Sequence, residues 1–64
     1  MLKIKKVKNN RLSEMGFIKG AIFRIVKRVS GMVQLRLMSS KALDVVVREE
    51  TEKDIDYVAI QDKD

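Results

Sequence analysis

Met32-Val33-Gln34-Leu35-Arg36-Leu37-Met38 alternates strictly, with Val33, Leu35 and Leu37 on one side and Gln34 and Arg36 on the other. That period of two is the mark of a half-buried strand. A slip of one residue would turn all three aliphatic side chains into water, so its register is well determined. After Ser39-Ser40-Lys41, a polar turn, Leu43, Val45 and Val47 alternate with Ala42, Asp44, Val46 and Arg48. Two such strands on a short link predict an antiparallel hairpin.

Reading outward, Ser30-Gly31 is a turn of the hairpin type, which makes 21–29 a strand paired with 32–38. Phe23 and Ile25 point inward there, and Ile22, Arg24 and Val26 lie on the other side. Apolar groups on both faces predict partial cover on both or a bend near Val26, with Lys27 and Arg28 running out to solvent. At the front, Leu2 and Ile4 alternate with Lys3 and Lys5, and Val7 follows after a gap. The lysines suit an edge strand, where charge discourages edge-to-edge pairing. At the back, 49–54 is a polar helical turn, and Ile55, Tyr57 and Ala59 are the inward positions of a last short strand. Residues 61–64 are a polar tail expected to fray.

The 64 residues are expected to form a single domain, 1–64, with a marginal core. There is no Cys and no His, so disulfide stapling and the usual zinc site are closed. Five short strands in this length are too few for a sandwich of usual size. The expected fold is mainly β, a small partly open barrel of about five strands with one short helical turn. No apolar run approaches the roughly 20 residues that span a bilayer, and Met1-Leu2-Lys3 is not followed by a secretory apolar region. A cytoplasmic location is expected.

Between the first two strands stands Arg11-Leu12-Ser13-Glu14-Met15-Gly16-Phe17-Ile18-Lys19-Gly20. Leu12 and Met15 share a face of a helical turn, Gly16 is placed as a helix-stop glycine, and Lys19-Gly20 launches the next strand. Asn10 is the expected helix cap. Gly16 and Gly20 are turn glycines and not a phosphate loop, since no Lys-Ser/Thr follows the second.

Chemistry is sparse. Without His or Cys, neither a His-based triad nor a thiol nucleophile exists, and no base accompanies Ser13, Ser30, Ser39, Ser40 or Thr51. No enzyme, no cofactor and no metal ligand set is read here. Glu49, Glu50, Glu52, Asp54 and Asp56 would suit a hard cation, but such a charge run is more often a solvated turn. Residues 1–28 carry a balance of +8, 29–48 of +2 and 49–64 of −5. The basic half permits binding to nucleic acid, through Lys3, Lys5, Lys6 and Lys8, or to anionic lipid head groups, with a solvated strand face as the commoner case. Phe23 and Tyr57 are inward positions, which leaves Phe17 as a single stacking platform for that mode. Ile18, Met32, Met38 and Val58 fit no single core and suit a protein contact, with scattered surface apolar residues that need no partner as the equal alternative for Met32 and Met38.

The stretch from Arg11 to Gly20 resembles the signature of the ferrous-iron transport protein A (FeoA) family, in its Arg-Leu, its Met-Gly pair and its later Gly. The resemblance continues through Phe23, Ile25, Val26, Lys27 and Arg28, and again through Val45-Val46-Val47-Arg48 and Ile55. It departs from the family in lacking the leader before the first strand, in Ala42 for a common glycine, and in Thr51 or Glu52 where a small alanine usually packs.

The resemblance implies an SH3-like barrel that acts as a non-catalytic accessory to the membrane ferrous-iron transporter of the same system, FeoB. The transporter would carry both nucleotide hydrolysis and the iron path. The expected partner-binding residues are Met15, Phe17, Ile18 and Lys19, with Leu12 in the core. On that expectation Phe17→Asp removes partner binding and leaves the fold intact. A small nucleic-acid-binding barrel is the alternative. The missing leader adds a third reading, a homodimer paired at an open sheet edge or formed by domain exchange.

Overall fold

A computed structural model of the chain describes residues 1–39 and 42–60. The middle of the expected turn at Ser40 and Lys41, and the expected tail at 61–64, lie outside them. Seven elements follow in order: β1 (Leu2–Val7), α1 (Asn10–Glu14), β2 (Ile22–Val29), β3 (Met32–Leu37), β4 (Leu43–Arg48), α2 (Glu49–Glu52) and β5 (Ile55–Ala59). The strands form one antiparallel sheet in the order β4-β3-β2-β1-β5. The expectation of a mainly β chain of five strands holds, and the arrangement is compatible with a small SH3-like fold. The sheet does not close into a barrel: β4 and β5 are its two edges.

Alternation sets the inner face. Val33, Leu35 and Leu37 of β3 are buried, and with Ile4, Leu12, Phe17, Phe23, Val47 and Ile55 they make the core. Phe23 sits between two aromatic neighbours, edge-on to Phe17 at 6.0 Å and to Tyr57 at 5.3 Å. Edge-to-face contact of this kind sets the positive rim of one ring against the negative face of the next.

Two bulges set which residues share that face. In β1 the pairing with β5 shifts between Ile4 and Lys6, so Ile4 lies opposite Tyr57 and Val7 opposite Ile55. The extra residue, Lys5, accounts for the gap in the apolar pattern and returns Val7 to the inner side. In β2 the shift falls between Ile25 and Lys27, which makes Val26 the extra residue at the expected bend. Before it Phe23 and Ile25 face Leu37 and Leu35; after it Arg28 faces the buried Val33. Lys27 and Arg28 are both exposed, as expected, and the bulge sets Arg28 on the same side of the sheet as Val33, at the rim of the inner face.

The turns obey local chemistry. Ser30 and Gly31 both have positive φ, 47° and 79°, the mirror-image geometry that joins strands twisting in the native sense. Helix α1 is capped by Asn9, whose Oδ1 accepts from the Leu12 N–H at 3.2 Å. The cap lies one residue earlier than the expected Asn10, because Asn10 already has helical backbone.

Candidate functional site

The chain from Leu12 to Ala21 is a helix stop followed by a tight turn. Phe17 N–H donates to the Leu12 carbonyl at 3.0 Å and Gly16 N–H to the Ser13 carbonyl at 3.1 Å. These are the two bonds of a Schellman motif. Gly16 takes its left-handed position at φ +106°, and a Cβ there would meet Leu37 Cδ2 at 2.9 Å. In this motif the residue after the glycine packs on the residue three before the cap. Those residues are Phe17 and Leu12, and both are in the core. Ala21 N–H then donates to the Ile18 carbonyl at 2.9 Å, closing a turn that leaves Ile18 and Lys19 outside.

This geometry sorts the four expected partner-binding residues. Phe17 is 0 % exposed, so it cannot touch a partner of the folded protein and its place in the contact set is corrected. Met15 is 36 % exposed and Ile18 54 %, and Lys19 is also at the surface. They do not share one patch. Met15 lines a groove of about 560 Å³ beside β4, with Asn9, Arg11, Val46 and Arg48. Ile18 and Lys19 line a separate hollow with Ile22, Leu37 and Met38.

Sequence reading missed a polar cluster at the inner rim. Glu52 is buried and accepts from Arg28 Nη1 at 2.5 Å and Nη2 at 2.8 Å, while the Tyr57 hydroxyl donates to its Oε2 at 3.0 Å. The Arg28 hydrogen bonds hold the Glu52 carboxyl below its ordinary pKa, against the opposing effect of burial, and the Tyr57 bond adds to the lowering. Burial, and then the bond to Glu52, push the Tyr57 hydroxyl up. Both Glu52 oxygens are engaged, Oε1 by Arg28 and Oε2 by Arg28 and Tyr57. Among the described residues no three acids converge into a metal-binding group. The Glu52 charge is accommodated because Arg28 reaches it from the rim of the inner face with both guanidinium nitrogens. The sequence held a signal for this. Phe23 and Ile25 cannot both face Leu37 and Leu35 across a two-residue turn at Ser30-Gly31 unless one residue of β2 is extra.

A second charged cluster lies outside. Arg36 Nε and Nη2 donate to the Asp44 carboxylate at 2.7 and 3.0 Å, and Gln34 donates to it at 3.0 Å. Arg36 and Asp44 are direct cross-strand partners, an exposed pair of small energetic weight. Lys3, Lys5, Lys6 and Lys8 are all exposed. Two of the three aromatic residues, Phe17 and Phe23, are fully buried, and Tyr57 is half-buried with its hydroxyl bonded to Glu52. No helix of the described residues is long and apolar enough to cross a membrane.

No protein-family model matches the chain, and neither a curated protein nor a solved structure does.

Proposed function

We propose that the chain is a non-catalytic accessory protein of ferrous-iron transport, FeoA-like, that works in the cytoplasm by docking on the cytoplasmic part of a FeoB-type transporter. The observation that carries this reading is the Schellman stop. It buries Leu12 and Phe17 and, in the same few residues, leaves Met15 at the surface on one hollow and Ile18 and Lys19 on another. The backbone that carries them is already ordered by hydrogen bonds, so a partner that covers these side chains costs rotamer freedom but little backbone freedom. The aromatic inventory supports it against the nucleic-acid alternative, since Phe17, the expected stacking platform, lies in the core.

Binding of the purified protein to the isolated cytoplasmic part of such a transporter, read by calorimetry, tests the reading. Wild type is expected to bind, and Met15→Asp and Ile18→Asp to weaken binding with no change in the melting curve. Absence of binding by wild type would overturn the function, and binding by both variants at wild-type strength would move the contact elsewhere.

A further inference from the structure

The Met15 groove runs along an open strand. Glu49 N–H donates to the Gly31 carbonyl at 2.9 Å, which brackets the Met32–Arg48 pair and marks it as a non-hydrogen-bonded pair of the ladder. Alternation then makes Val33–Val47 and Leu35–Val45 the bonded pairs. The N–H and C=O of Val46 and the N–H of Arg48 therefore point away from β3, over the edge of the sheet and into the groove. Helix α1 stands across from them, contributing Met15 and Arg11.

Two features say what would fill this space. Among the described residues the groove is lined by Arg11 and Arg48 and by no acidic residue, and neither guanidinium has an ion-pair partner there. Its apolar part comes from Met15, Met32 and the valines of β4, with Val46 itself 59 % exposed. Unpaired edge amides call for an extended backbone. Val45 and Val47, on the inner side of β4, call for aliphatic side chains on that side of the added backbone, and Arg48, on the outer side, for carboxylates on the other.

We infer that β4 accepts an extended segment of a partner protein, with alternating aliphatic and acidic residues, as an added strand between β4 and α1. This rests on the protein-docking reading above and deepens it by naming the chemistry of what enters beside Met15.

The test uses the full chain, labelled for amide NMR, and a synthetic octapeptide of alternating valine and glutamate. The amides of Val46 and Arg48 are expected to shift and to exchange more slowly with solvent. A valine–lysine peptide, and a valine–glutamate peptide with a central proline, are expected to bind at least tenfold more weakly. Each exposed Arg–carboxylate contact is worth a factor of roughly two to five, so the pair Arg11→Glu and Arg48→Glu should weaken binding about tenfold. Val46→Pro, which deletes an outward N–H and leaves the β3 ladder intact, should do at least as much.

The inference is overturned if the peptide leaves Val46 and Arg48 unmoved, if the lysine or proline peptide binds equally well, or if octathymidylate shifts these amides more strongly. Self-association through the same amides at rising concentration would also overturn it. The transporter fragment separates the two readings. If it binds where the peptide does not, strand addition alone fails; if the peptide binds where the fragment does not, the transporter reading alone fails.

Discussion

Replacing Gly16 by alanine tests the helix stop on which the exposed turn depends. At φ +106° an L side chain is in the left-handed region, a cost of about 1–2 kcal/mol. The new Cβ would lie 2.9 Å from Leu37 Cδ2, so a core side chain must move, and overpacking of this kind costs about 1–3 kcal/mol. The sum is about 2–5 kcal/mol, a large part of the roughly 3–10 kcal/mol expected of a domain this size.

Gly20→Ala is the control, because its φ is +90° with no atom within 4 Å of the added Cβ. It carries the backbone cost alone, about 1–2 kcal/mol. Leu37→Val removes the opposing methyl for about 1 kcal/mol. In the double variant the overlap is relieved, so its loss should be smaller than the sum of the single losses by about 1 kcal/mol or more. Urea unfolding followed by far-ultraviolet circular dichroism reads all four proteins. Equal losses for Gly16→Ala and Gly20→Ala, or additivity in the double variant, would refute the packing argument.

Three further outcomes follow from the same geometry. Because the folded Glu52 carboxyl has a lowered pKa, its stabilising contribution is whole above its ordinary value and is lost as pH falls through the folded value. Glu52→Gln should therefore cost about 1–3 kcal/mol at pH 7 and flatten the acid limb of the urea midpoint against pH; an unchanged acid limb would place the dependence elsewhere. Phe17→Asp should unfold the chain by burying a carboxylate in the aromatic cluster, whereas Ile18→Asp should leave its melting temperature within a few degrees of wild type. Asn9→Ala should cost about 1 kcal/mol through the lost cap and Asn10→Ala much less, a contrast that thermal melts resolve.

The parts of the fold legible in the sequence are those governed by near neighbours. Strict alternation placed Val33, Leu35, Leu37 and Val47 inside, the Ser30-Gly31 pair gave the hairpin, and a glycine after Met15 gave the helix stop. Phe17 was misplaced because its direction follows from the motif and not from its neighbours' hydrophobicity. Once Gly16 is the left-handed residue, the next side chain is committed to Leu12. Glu52 looked like one acid among five because its partner, Arg28, is 24 residues away. Only the parity change at Val26 brings the two to one face.

That parity change links the core to the open edge. The two-residue turn sets Val29 opposite Met32, and a regular ladder from there would place Arg24 opposite the buried Leu37 and Phe23 on the outer face. One extra residue in β2 removes the conflict, restoring Phe23 to Leu37 and Ile25 to Leu35. The register of the turn itself keeps Val29 outside, beside Met32, with Val46 on the adjoining strand in the next row. Turn and bulge together thus set Arg28 at the inner rim, where Glu52 meets it and Tyr57 in turn donates to Glu52, and leave aliphatic surface next to the outward amides of β4. A 64-residue chain without disulfides has little apolar surface to spare for its own core. Aliphatic residues left outside, beside outward edge amides and two arginines that have no ion-pair partner among the described residues, are more economically explained by a docked strand than by packing within the chain.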